Sequence, residues 1–139
     1  MSIAEIQKQI VEEFSLFTDW MEKYEYLIEL GKALAPFPEE EKRDQNLIRG
    51  CQSRVWLAAN NREGRLFFMA DSDAIITKGI VSLLIRAFSG HSPQEILEAD
   101  TGFIDEIGLK EHLSPTRANG LVSMIKQIKI YALLFVDRE

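Results

Sequence analysis

Between positions 55 and 70 the hydrophobic period of this chain shortens to two, and that change limits the folds open to it. Val55, Leu57 and Ala59 share one face of an extended segment, with Trp56 and Ala58 on the other. Leu66, Phe68 and Ala70 alternate with Phe67 and Met69 on a second segment. Asn60-Asn61-Arg62-Glu63-Gly64 between them reads as a hairpin turn, with Asn and Gly supplying positive φ. Both faces are largely apolar, so the sheet has to be covered on more than one side. Asn46-Leu47-Ile48 is a candidate short third strand.

On either side the period is helical. Ile3, Ile6, Ile10, Val11 and Phe14 form one stripe. Trp20, Tyr24, Leu27, Ile28 and Leu34 form another, capped by Thr18 or Asp19. Pro36 and Pro38 stop that helix and lead into a charged connector over 38–44, suited to a solvated loop or to an acidic face toward a partner. Asp71-Ser72-Asp73 reads as the cap of a mostly apolar helix over 74–88. Its polar exceptions, Lys78, Ser82, Arg86 and Ser89, form one stripe, and Gly79 marks the close approach of another backbone. Ser92-Pro93-Gln94-Glu95 has the pattern of a capping box opening a short helix. Residues 102–113 read as irregular or as a short helical turn. Ser114-Pro115 opens a last long helix, with Leu121, Met124, Ile125, Ile128, Tyr131 and Phe135 on its apolar face. The plan is α+β: a small antiparallel sheet of about three strands, packed between N-terminal and C-terminal helices, in one domain over 1–139.

A net charge of −6 with no clustered Lys and Arg argues against a nucleic-acid partner. The longest apolar run, 130–136, is far below the roughly 20 residues of a spanning helix, so no membrane partner is expected. The amino terminus lacks the basic start and apolar stretch of a secretory signal. Together with an unpaired cysteine, this predicts a cytoplasmic location.

Cys51 is the chain's one cysteine, so it can form neither an internal disulfide nor a thiolate metal cage. An isolated cysteine is often a small, inert core residue. Its neighbours here point the other way. Gly50 allows a sharp turn, Gln52 and Ser53 are polar, and a strand follows. That context suits a presented, nucleophilic thiol. Cys51, His91 and His112 show no paired metal-ligand spacing, so no metal site is expected. Spacing leaves a Cys51–His112 pair open, although no nucleophile signature accompanies it. No phosphate-binding loop or dinucleotide fingerprint occurs.

Three other residues have two readings each. Asp73 suits a helix start, and Lys78 a solvated stripe. Arg117, at the third position of the last helix, opposes the helix dipole; it either reaches solvent or is held there for another purpose.

Four segments resemble the SufE family of sulfur acceptors in iron–sulfur cluster assembly. They are 20–34; Gly50-Cys51-Gln52-Ser53-Arg54-Val55-Trp56; Asp71-Ser72-Asp73-Ala74 with Thr77-Lys78-Gly79; and Leu113-Ser114-Pro115-Thr116-Arg117-Ala118-Asn119-Gly120-Leu121. The resemblance implies a SufE/NifU-like α+β fold. It also implies that a PLP-dependent cysteine desulfurase passes persulfide sulfur to Cys51 and is stimulated in doing so. The sulfur then goes to an iron–sulfur scaffold or another acceptor. The PLP would belong to the desulfurase, leaving this chain without a cofactor and a carrier more than a stand-alone enzyme. Gln52, Ser53, Asp73, Lys78 and Arg117 would be motif or partner-facing positions, with Arg54 or Arg117 favouring the thiolate. Two alternatives carry different expectations: a non-catalytic desulfurase-binding module with Cys51 merely packed, and a redox sensor using Cys51 as a sulfenic acid.

Overall fold

A reciprocal cap starts the first helix, α1 (Ile3–Ser15). The Ser2 hydroxyl accepts from the Glu5 amide, and the Glu5 carboxylate accepts from the Ser2 amide. A second carboxylate arrives from far along the chain, with Glu95 accepting from the Ile3 amide at 3.1 Å. The expected capping box at Ser92 is therefore half made: Ser92 Oγ accepts the Glu95 amide, while the Glu95 carboxylate serves α1. The computed structural model describes residues 1–136.

Asp19 caps α2 (Trp20–Lys32) through the Glu22 amide. This helix crosses α3 (Ile75–Phe88) with backbone against backbone. A Cβ on Gly79 would lie 2.1 Å from the Leu27 carbonyl oxygen, and one on Gly31 would lie 2.9 Å from the Gly79 nitrogen. Gly79 thus has the use its position suggested.

The hairpin joins β1 (Val55–Arg62) to β2 (Arg65–Ser72) in antiparallel register from Val55 opposite Ser72 to Arg62 opposite Arg65. Its turn is tighter than the Asn-rich sequence suggests. Only Glu63 and Gly64 lie outside the strands, with φ of 53° and 81°. Two successive positive φ values match the twist of a two-residue hairpin, so here a glutamate takes the conformation expected of an asparagine. Asn60 and Asn61 remain in β1, and Asn61 Oδ1 accepts the Gly64 amide.

Among the described residues the sheet has two strands. The expected third shrinks to a single bridge, Leu47 to Trp56, with the Ile48 amide donating to the Val55 carbonyl at 2.8 Å. A 3₁₀ turn at Asp44–Asn46 precedes the bridge and a left-handed Gly50 follows it, leaving no room for a ladder. The start of α3 also differs from expectation. Asp71 and Ser72 pair in β2, and the cap residue is Ala74, which has no side-chain cap. Ser72 Oγ instead accepts the Ala74 amide.

The expected short helix is α4 (Pro93–Glu98), and two further short helices, α5 (Phe103–Glu106) and α6 (Leu109–His112), fill the stretch read as irregular or as a helical turn and lead to α7 (Pro115–Phe135). Lys129 of α7 ties back to α4, its ammonium donating to the carbonyls of Ile96, Leu97 and Ala99 at 2.5, 3.2 and 2.7 Å. Phe14, Leu27, Leu57, Leu84, Phe88, Ile96 and Ile128 are among the fully buried side chains of one continuous cluster. The hairpin lies in that cluster with α3 against β2, and Tyr131 of α7 donates its hydroxyl to the Leu57 carbonyl at 3.1 Å.

Candidate functional site

Gly50 turns the chain out of the Leu47 bridge with φ of 92°, a conformation that favours glycine. A Cβ at this position would lie 2.5 Å from Ser123 Oγ, so the turn is pressed against α7. One residue later, Cys51 meets α7 again. Its Sγ lies 3.6 Å from the Gly120 carbonyl oxygen, and a Cβ on Gly120 would stand 3.3 Å from the sulfur. Gly120 thus leaves the space that the thiol occupies. The side chain is half-buried and directed inward.

Burial pushes the Cys51 thiol above its ordinary value and is the sole cause of the shift. The thiolate support expected from Arg54 or Arg117 is absent in this inward arrangement. Both guanidinium-bearing residues are exposed, and neither contributes to the shift of the thiol. In this arrangement the thiol sits in a niche that disfavours its ionisation.

The far end of the Cys51 loop is fastened to the end of the hairpin. Asp73 Oδ1 accepts the Arg54 amide at 3.0 Å, and the Arg54 carbonyl accepts from Ser72 Oγ and from the Asp73 amide at 2.8 and 3.3 Å. Asp73 is thus a loop anchor, where a helix-start role was the simpler sequence reading. Gln52 is exposed and Ser53 half-buried between these two fixed ends.

Lys78 is half-buried and pairs with Asp71 at 3.3 Å. Asp71 also pairs with Lys42 at 3.2 Å, and the Lys42 ammonium lies 5.3 Å from the Trp56 ring centroid. Burial alone would raise the Asp71 carboxyl; the Ser72 amide and the two lysines outweigh it and hold the group below its usual range. This cluster clamps the charged connector to the hairpin beside the strand that leaves the Cys51 loop. Lys78 is therefore an ion-pair partner where a freely solvated position was expected.

Arg117 is exposed on the first turn of α7, three residues before Gly120, and its amide donates to Ser114 Oγ at 3.3 Å. Positions three apart share a helix face, so Arg117 and the Cys51 niche lie on one side of α7. His112 is engaged elsewhere, with its ring stacked on Trp20 at 3.8 Å and Nδ1 3.1 Å from the Gly108 carbonyl oxygen. His91 spans the Met1 and Ser89 carbonyls. The structure thus places Cys51, Gln52 and Ser53 on one loop, with Asp73 anchoring its end from beyond β2 and Arg117 on the facing helix, and sets Lys78 in the neighbouring ion cluster.

Gly120 stands in the sequence only as one member of the 113–121 segment, with no role of its own, and Ser123 does not stand out at all. A glycine within the first two turns of a long helix, three residues after a dipole-opposing arginine, was the available signal for Gly120. Ser123 had none, because its importance comes from the Gly50 backbone across the gap.

No helix of the described residues is long and apolar enough to cross a membrane. The fold resembles the solution structure of a hypothetical protein from Thermus thermophilus, with a TM-score of 0.77 at 23% identity over 93% of this chain and 94% of that one. The family described as SufE, Fe-S metabolism associated domain, matches residues 8–132. That span contains both strands, the Cys51 loop and all of α7 through Ala132, and the chain therefore belongs to the SufE family.

Proposed function

We propose that this chain is a sulfur carrier. It takes persulfide sulfur from a PLP-dependent cysteine desulfurase onto Cys51, stimulates that enzyme, and delivers the sulfur to an iron–sulfur scaffold or another acceptor. Membership of a family associated with Fe–S metabolism supports the setting. The single observation that carries the reading is the seating of Cys51, the chain's one thiol, between a glycine turn and a glycine niche on α7.

In the transfer step the Cys51 thiolate attacks the terminal sulfur of the donor persulfide. A new S–S bond forms at Cys51, the donor S–S bond breaks, and the donor cysteine leaves as a thiolate. No net oxidation occurs, because one sulfur-sulfur bond replaces another. Reaction needs an accessible thiolate, and Cys51 is half-buried against Gly120 where burial disfavours ionisation, so in this scheme the loop turns outward for loading. Gly50 supplies the hinge, and the Asp73–Arg54 contacts hold the other end. Retreat to the niche between transfers limits oxidation of an otherwise exposed thiolate. Gln52, Ser53 and Arg117 border the path and would face the docked desulfurase, while Lys78 would act through the Asp71 cluster. PLP belongs to the desulfurase in this scheme, and the chain itself is a transfer protein without a cofactor.

The test incubates the protein with a desulfurase, PLP and cysteine. Mass spectrometry should find one added, reductant-labile sulfur on Cys51, and Cys51→Ser should abolish relay. Absence of the adduct with normal relay by Cys51→Ser would overturn the carrier reading, and full stimulation of the desulfurase by Cys51→Ser would point to a binding module. Peroxide-specific modification without any desulfurase would point to a sensor.

A further inference from the structure

Charge is divided unevenly along this chain. Segment 46–62, which carries Cys51, holds Arg49, Arg54 and Arg62 and no carboxylate. Segment 115–136 holds Arg117, Lys126 and Lys129, again with no carboxylate. The two segments contribute +6 to a chain of net −6, so the remaining residues carry −12. In the fold these two carboxylate-free segments meet where Cys51 contacts Gly120 and Gly50 contacts Ser123.

Beside that junction lies an open cleft of about 390 Å³ between residues 44–49 and the middle of α7. Arg49 stands on one wall and Lys126 on the other, with Ile130 supplying apolar surface and Asp44 the one carboxylate. Ser123 lines the cleft and is also the residue pressed against the Gly50 turn. Among the described residues neither Arg49 nor Lys126 makes an ion pair, whereas Lys42, Lys78 and Arg86 do. The outward face of α7 continues the pattern. Val122, Ile130 and Leu133 are 49%, 38% and 61% exposed along one stripe with Lys126 between them.

We propose that this cleft is the docking groove for an acidic segment of the sulfur donor, anchored by an apolar side chain. Carboxylates of that segment lie between Arg49 and Lys126, and its anchor rests on Ile130. The inference rests on the reading of Cys51 as a persulfide acceptor. Charge complementarity selects the occupant. Two cations without ion-pair partners face each other across an open cleft on an otherwise acidic molecule, and they attract an acidic segment. Two copies of this chain, each of net charge −6, repel one another at long range. Because Ser123 belongs both to the groove and to the Gly50 contact, a seated segment lies against the hinge of the Cys51 loop.

The probe is a purified PLP-dependent cysteine desulfurase that loads wild-type Cys51. Arg49→Glu and Lys126→Glu should each raise its Kd about tenfold at low salt and flatten the salt dependence of association. Ile130→Asp should weaken binding at every salt concentration. Lys32→Glu, on the exposed face of α2, should stay within about twofold of wild type. All four variants should take sulfur from inorganic polysulfide at the wild-type rate, which shows an intact Cys51 loop. Loading of wild-type Cys51 with unchanged Kd in the groove variants overturns the groove alone. If neither a desulfurase nor polysulfide loads wild-type Cys51, the acceptor reading falls and the groove with it. Self-association abolished by Ile130→Asp, with desulfurase affinity unchanged, assigns the cleft to a second copy and also overturns the proposal.

Discussion

At Gly120 the absence of a side chain sets the environment of a sulfur atom on another segment. A Cβ there would stand 3.3 Å from Cys51 Sγ, tighter than ordinary contact, and the neighbouring thiol has to give way. Gly120→Ala should therefore displace Cys51 and raise its alkylation rate by iodoacetamide several-fold. The gain in helix propensity, about 1 kcal/mol, offsets the crowding, so the urea midpoint should move little. An unchanged alkylation rate would show that the niche does not control access. The prominence of Cys51 was legible in the sequence, from its singleness, its glycine and its polar neighbours. The niche that holds it was not. That depends on Gly120, sixty-nine positions away, and on burial, which no local pattern reports. Asp73 shows the same limit: its carboxylate looked like a helix cap but accepts the Arg54 amide across the end of the hairpin.

Among the elements, the α2–α3 pair has the least tolerance for added volume. Gly79→Ala would place a methyl 2.1 Å from the Leu27 carbonyl oxygen, and backbone on both sides limits the adjustment. The cost should be about 3 kcal/mol, read as a lower urea midpoint with an unchanged m-value. Periodicity located the main helices and both strands because each buries a regular stripe. It misplaced their ends where side chains serve distant partners. Glu95 looked committed to its own helix and instead accepts the Ile3 amide, while Asp71 and Ser72 looked like a cap and continue the ladder. The expected third strand ended as one bridge because Asp44–Asn46 and Gly50 bend the chain on both sides of Leu47.

Over the whole molecule, stability should fall at both extremes of pH for separate reasons. The Arg86 guanidinium donates to both Glu13 oxygens and holds that carboxyl below its usual range, against the opposing effect of burial. A depressed folded value means the contribution is present above about pH 4.3 and is lost as pH falls through the lower value. Cys51 has the opposite sign. Its raised folded value gives stability that is complete below about pH 8.5 and lost as pH rises through the folded value. Thermal melts should show Glu13→Gln with a shallower acid decline and Cys51→Ala with a shallower alkaline one. Parallel declines in the variants and the wild type would remove these groups as the cause.

The crossing of Gly31 and Gly79 has a mechanical consequence. With backbone against backbone, α2 and α3 have no side-chain cushion through which to slide. In the proposed scheme a docking load would meet a stiff crossing at these helices and would turn the Cys51 loop at Gly50. Work done by a partner would then be concentrated in the few bonds that carry the thiol, with little dissipated in the crossing.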